Sequence, residues 1–340
     1  MTQVSPKERL LAALGGDKAD RPPVICPGGM MNAAIVEIMN ASGHTLPAAH
    51  SDGRLMAALA ADVHEYTGFE NLGIPFCLTV EAEVLGSEVT YGTLACEPKI
   101  TREVYASAAD VKSRDIKTML ADGRIAAVLE AASLIARRHP DVPLIGNLTG
   151  PISTAASLVD PVTLLKEFRK RPAECHRVLD YVTNLLIRFA ENMAESGATV
   201  ISIGDPTATG EILGPKVFAE FAVRYLNRIV DALHARGIPV IVHICGNLST
   251  ARSLLPEIKA DAISTDAMVN LRQLKADFPG LTTMGNLSTY LLEFGSVETV
   301  TVQTERLIAD GIDIISPACG LSTSTSLDLI RAMTGTVKGV

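Results

Sequence analysis

A chain of 340 residues that is 47% hydrophobic, only 4% aromatic and without Trp must fill its core with Ala, Val, Ile and Leu, and α/β barrels commonly reach this length. Thirty Lys and Arg against 38 Asp and Glu give a formal net charge of −8, which offers no general attraction to nucleic acid. No run of 18 apolar residues predicts a membrane span, the polar N-terminus lacks a signal-peptide core, and six scattered cysteines make no disulfide framework, so a reducing cytoplasm is expected.

In chain order, Ser5-Pro6-Lys7-Glu8 predicts a helix start, with Pro at the first helical position and Glu at the third. Leu10, Leu11 and Leu14 follow at helical spacing, as an N-terminal extension expected to cap the bottom of the domain. Eight apolar, β-rich runs come next, at 23–26, 72–76, 143–148, 199–204, 239–243, 262–265, 281–285 and 312–316. Helical periodicity fills most intervals between them, clearest at 179–196, 218–235, 297–310 and 326–333. Arg236-Gly237 and Asp310-Gly311 end helices just before strands. The alternation predicts βα units on a parallel sheet, and eight strands close a (β/α)8 TIM barrel. The whole of 1–340 reads as one such domain with an insertion after the second strand, at about 78–140. Within it 88–91, 93–96 and 99–104 read as extra strands. A doubly wound open sheet is the alternative, but no Gly-x-Gly-x-x-Gly follows the first strand.

Chemistry in such barrels sits at the carboxyl ends of the strands. There, Val240-Ile241-Val242-His243-Ile244-Cys245-Gly246-Asn247 runs from apolar residues into His-x-Cys. Residues two apart on a strand share a side, so His243 and Cys245 can face one ion. Ile312-Asp313-Ile314-Ile315-Ser316-Pro317-Ala318-Cys319-Gly320 places a second cysteine after another buried strand. One imidazole and two thiols form the N/S set that zinc prefers, and three protein ligands leave a position open. Cys26 and Cys77 also end apolar runs and either border the pocket or pack, while Cys96 and Cys175 read as structural. His44, His50 and His64 are expected at the surface, and His139 and His234 at polar helix ends.

A small motif, Gly-Asn-Leu-(Ser/Thr), recurs after three alternate strands and contributes Asn147, Asn247 and Asn286. These either contact substrate or serve turn and cap chemistry. Asp205 and Asp266 also follow strands. Either can orient the imidazole, fill the fourth coordination position at rest, or cap a helix.

His243-Ile244-Cys245-Gly246-Asn247 with the distant Cys319-Gly320 resembles the zinc signature of the methylcobamide:coenzyme M methyltransferases, within the uroporphyrinogen decarboxylase superfamily. The likeness extends to 7–15, Gly73-Ile74-Pro75-Phe76-Cys77-Leu78-Thr79-Val80, 146–151, Ser202-Ile203-Gly204-Asp205-Pro206 and 314–320. It implies a TIM barrel with a funnel at its carboxyl face and Zn²⁺ on His243, Cys245 and Cys319. It also implies methyl transfer from a methylcobamide, presented by a separate small corrinoid protein, to a thiol for which coenzyme M is favoured. Tetrahydrofolate and homocysteine are the alternative acceptors, and a uroporphyrinogen-decarboxylase-like non-methyltransferase or a non-catalytic metal- or corrinoid-binding module is the alternative of another class. Porphyrinogen decarboxylation is disfavoured. True decarboxylases carry an arginine-rich segment after the first strand, where this chain reads Cys26-Pro27-Gly28-Gly29-Met30-Met31-Asn32-Ala33, and substrate carboxylates would lack cations. Residues 27–33, with Met30 and Met31, either line the mouth or pack on themselves.

Overall fold

The computed structural model describes residues 4–121 and 123–340. Strand β1 spans Leu72–Ile74, and β2 (Glu88–Thr90) and β3 (Lys99–Arg102) form a separate antiparallel hairpin. The others are β4 (Leu144–Thr149), β5 (Val200–Gly204), β6 (Val240–Ile244), β7 (Ala262–Thr265), β8 (Thr283–Leu287) and β9 (Ile314–Pro317). A single sheet runs β1-β4-β5-β6-β7-β8-β9, with every neighbouring pair parallel. Helices connect and surround it. All residues of β4, β5, β6, β7 and β9 are buried, as expected of strands covered on both faces.

The run at 23–26, expected as the first strand, is not a regular strand. It spans the gap between β9 and β1 with one parallel bridge, Val24 to Ile315. Ile25 N donates to Ile315 O (3.0 Å) and Ile315 N to Pro23 O (2.9 Å). On the other side, Glu70 N donates to Val24 O (2.8 Å). Beyond that the side chain of Asn71 does the work of a ladder pair, donating from Nδ2 to Cys26 O (2.8 Å) and accepting at Oδ1 from Cys26 N (2.9 Å). Pro22, Pro23 and Pro27 supply no N–H, which leaves too few donors for a continuous ladder. The result is a TIM-barrel-like ring of seven strands plus one irregular segment.

Helix Pro6–Leu14 starts on a capping box, Ser5 Oγ accepting from Glu8 N and Glu8 returning to Ser5 N. Its buried Arg9 pairs with Glu70 (2.7 Å) and Asp20 (2.7 Å), and Arg21 also reaches Glu70 (2.7 Å). Glu70 lies just before β1, so this helix covers the amino end of the strands, as the sequence predicts. In the interval 78–140, the run 93–96 is a turn closed by a single Thr93–Cys96 bridge rather than a strand. Helix Gly123–Arg138 packs on helix Gly53–Thr67 and leads into β4 as an ordinary crossover. The expected helix at 218–235 begins as a π-helical turn, Phe218–Val223, before α-helix Arg224–His234.

Candidate metal centre

His243 lies near the carboxyl end of β6, Cys245 just past it, and Cys319 in the turn after β9. Their Nε2 and Sγ atoms converge from positions 74 residues apart. His243 Nε2 is 3.1 Å from Cys245 Sγ, and the two sulfurs are 3.4 Å apart. All three donor atoms lie within 4.8 Å of one another. Donors held 2.0–2.3 Å from a tetrahedral ion stand roughly 3.5 Å apart, so the arrangement fits one metal ion. No further His, Cys, Asp or Glu joins the group among the described residues. The next sulfur is Met30 Sδ, 3.9 Å from Cys245 Sγ.

The imidazole is oriented by Ser264, whose Oγ lies 2.8 Å from Nδ1. Ser264 sits opposite His243 in the β6–β7 register and is fully buried. With Nδ1–H donated to that oxygen, the Nε2 lone pair faces the sulfurs. Sequence reasoning missed this residue. A polar side chain within an apolar strand was the available signal, but only the register shows which neighbour it serves.

The two thiols share protons unequally. Cys319 is held below the ordinary thiol range because it accepts a hydrogen bond from Cys245 and also faces His243. Cys245 is pushed far up, as the partner that keeps the proton and through its burial. Metal ligation requires both thiols as thiolates, so loading would release protons.

The two aspartates hold backbone rather than the imidazole. Asp205 is fully buried and accepts from Ile152 N (3.1 Å), Ser153 N (2.8 Å) and Ser153 Oγ (2.6 Å), capping the start of helix Pro151–Leu158. Burial raises its pKa to about 6, opposed by those hydrogen bonds. Asp266 accepts from Met268 N (3.0 Å) and, at 3.4 Å, from Gly246 N, in the turn beside Cys245.

The three asparagines also hold loops. Asn147 Nδ2 donates to Pro27 O (2.8 Å) and Ile74 O (3.0 Å). Asn247 Oδ1 accepts from Ser249 N (2.8 Å), and Asn286 Nδ2 donates to Asp266 O (2.8 Å) and Val269 O (2.7 Å).

Asn147 thereby pins the loop 27–33 over the mouth. Gly28 is required there, since at φ +104° a Cβ would come within 2.6 Å of Asn147 Nδ2. Met30 stands at the mouth, while Met31 is buried beneath it, its Sδ 3.9 Å from Ser264 Oγ. A cleft of about 550 Å³ opens on Cys319 and Met30.

The remaining candidates lie elsewhere. The Cys26 thiol donates to Met31 O (2.6 Å), and burial raises its pKa. Cys77 accepts from Arg124 (3.0 Å), which also pairs with Glu83 (2.7 Å). Cys175 is buried and pushed up to about 12 by burial. His50, expected at the surface, is instead 1% exposed. Neither of its ring nitrogens has a hydrogen-bond partner among the described residues. Burial, with a contribution from the Arg124 charge, lowers it to about 4.

Residues 5–340 match the family described as uroporphyrinogen decarboxylase (URO-D). The chain is 32% identical over 330 residues to methylcobamide:CoM methyltransferase MtbA of Methanosarcina acetivorans, covering 96% of this chain and 95% of that protein. It is 31% identical over 339 residues to methylcobamide:CoM methyltransferase MtaA of Methanosarcina barkeri, covering 98% and 97%. The solved structure of a methyltransferase from Methanosarcina mazei superposes with a TM-score of 0.92 at 30% identity, covering 99% of both chains. None of the helices is long and apolar enough to cross a membrane, among the described residues. The chain belongs to the uroporphyrinogen decarboxylase (URO-D) family and stands with its methylcobamide:CoM methyltransferases.

Proposed function

We propose that this protein transfers a methyl group from a methylated corrinoid to the thiol of coenzyme M at a Zn²⁺ held by His243 Nε2, Cys245 Sγ and Cys319 Sγ. The observation that carries this reading is the convergence of one nitrogen and two sulfur donors, with no fourth His, Cys or carboxylate among the described residues, at the open end of the barrel. The names of the relatives, methylcobamide:CoM methyltransferases matched along nearly their whole length, supply the substrates.

When bound, Zn²⁺ acts as a Lewis acid that lowers the pKa of an incoming thiol below its ordinary value of about 8.5. The chain's own groups prepare this. Ser264 fixes the imidazole, so that Nε2 rather than Nδ1 faces the pocket. Two thiolates and a neutral imidazole cancel the charge of a divalent ion, which keeps a bound sulfur nucleophilic. Asp205 and Asn147 hold the turns that carry the mouth, so the cluster rests on a rigid frame. The loop 27–33 lies against one side of the sulfurs through Met30, whose Sδ is 3.9 Å from Cys245 Sγ.

In the overall reaction an S–CH₃ bond forms and the Co–CH₃ bond breaks. The electron pair of the broken bond stays on cobalt, taking Co(III) to Co(I), and the thiol proton goes to solvent. A separate corrinoid-carrying protein would present the methyl group at the mouth.

Incubating zinc-loaded protein with methylcobalamin and each of coenzyme M, homocysteine and tetrahydrofolate, while following Co(I) by absorbance, tests the reading. Turnover with coenzyme M is expected. Turnover with tetrahydrofolate alone overturns the thiol assignment.

A further inference from the structure

The chain has eight Phe, six Tyr and no Trp, and large rings such as Phe69, Phe76, Phe189, Phe218, Phe221 and Tyr225 are fully buried. Tyr290 and Phe294 are the contrast, 68% and 65% exposed, with ring centroids 5.0 Å apart. They lie on the short helix Thr289–Phe294, which follows β8 at the carboxyl face. Both line the cleft of about 550 Å³ that opens on Cys319 and Met30. Its size is that of a ligand site, and a pair of exposed rings beside it marks a binding surface rather than a packing remnant.

The charge of the cleft selects its occupant. Glu97 and Glu293 line it, with no Lys or Arg in the lining among the described residues. The hydroxyls of Thr289, Ser322 and Thr323 complete its polar edge. An anionic sulfonate would be repelled there. A methyl-Co(III) corrin is the opposite case: Co³⁺, the corrin anion and the methyl carbanion leave a net positive charge on a flat, largely apolar ring edged with amides.

We propose that this cleft seats the corrin macrocycle, with Tyr290 and Phe294 as its apolar platform, the two carboxylates as charge complement and the hydroxyls as partners for the peripheral amides. The methyl-bearing face then looks toward Cys319, and the small anionic thiol enters by another side of the mouth. This assignment rests on the methyl-transfer reading above and gives its larger substrate a place.

The test compares wild-type protein with a double variant, Tyr290→Ser with Phe294→Ser, using free methylcobalamin as the probe. Both side chains are exposed, so folding should survive, which circular dichroism checks. The double variant is expected to raise KM for methylcobalamin about tenfold or more, with a smaller effect on kcat and none on zinc content. A control pair away from the cleft, Val162→Ser with Ile212→Ser, should leave KM unchanged. Equilibrium dialysis of methylcobalamin without thiol separates binding from transfer. Wild-type binding that the Tyr290 and Phe294 changes abolish, without any turnover, would support the cleft while overturning methyl transfer. Turnover with an unaltered KM in the double variant, or no methylcobalamin binding by the wild type, would overturn the cleft assignment.

Discussion

At the scale of single residues, the orientation of His243 depends on one hydroxyl. Ser264→Ala frees the imidazole to rotate, and supporting partners of metal ligands typically contribute 10–100-fold in affinity. Zinc affinity, measured by competition with a chelator, should fall by about that factor while the thermal midpoint holds. On the proposed site, Cys319→Ala removes one of three ligands, so bound zinc and methyl transfer should both be lost. The circular dichroism spectrum should persist, because the core around the strands is apolar and owes little to one ion. His50 offers a test independent of the metal. Its buried ring must stay neutral, and its pKa falls from 6.5 to about 4 in the fold. The stability it allows is therefore complete above about pH 6.5 and is lost as pH falls toward 4, by roughly 3 kcal/mol. Urea midpoints of the wild type should decline across that window, and those of His50→Leu should decline less. Equal slopes would contradict the assignment. The two kinds of residue differed in legibility. His-x-Cys announced itself because strand alternation puts both side chains on one side, whereas His50 looked like a surface residue because it stands between apolar Leu46-Pro47-Ala48-Ala49 and polar Ser51-Asp52, with no periodicity that marks it as buried.

At the scale of elements, the ring depends on how the segment 23–26 joins its neighbours. Asn71 satisfies both the N–H and the C=O of Cys26, which is itself buried. Asn71→Leu keeps the branched outline of the side chain, though not its volume, and leaves both groups unpaired, at a cost of about 2–3 kcal/mol, readable as a lowered urea midpoint. A change below about 0.5 kcal/mol would mean that the closure does not need this side chain. The apolar run at 23–26 was legible as a strand position, whereas the loss of its ladder to the surrounding prolines became visible only from the hydrogen bonds it makes. Strand β8 falls at 283–287 rather than 281–285, because Leu281 still belongs to the turn that closes on Phe278. The extra strand at 93–96 failed for a related reason: alternating residues in an exposed hairpin region carry no burial signal to distinguish a strand from a turn.

At the scale of the whole molecule, the parallel sheet was legible from eight apolar runs separated by helices, and it explains why residues 74 positions apart meet. The ends of β6 and β9 share one face of the ring, so His243, Cys245 and Cys319 come together without any local sequence link. What the sequence concealed was the furnishing of that face. The Gly-Asn repeats read either as substrate contacts or as turn and cap chemistry, and each asparagine side chain ties a loop. Asp205 read either as a partner of the metal site or as a helix cap, and its carboxylate caps helix Pro151–Leu158. Both roles use the same residue types, and only three-dimensional neighbours distinguish them. The account as a whole is tested most directly by titrating metal-free protein with Zn²⁺ and measuring demethylation of methylcobalamin by coenzyme M at each step. It predicts a rate that rises in proportion to bound zinc and levels off at one ion per chain. A rate independent of zinc, or no transfer at full occupancy, would contradict it.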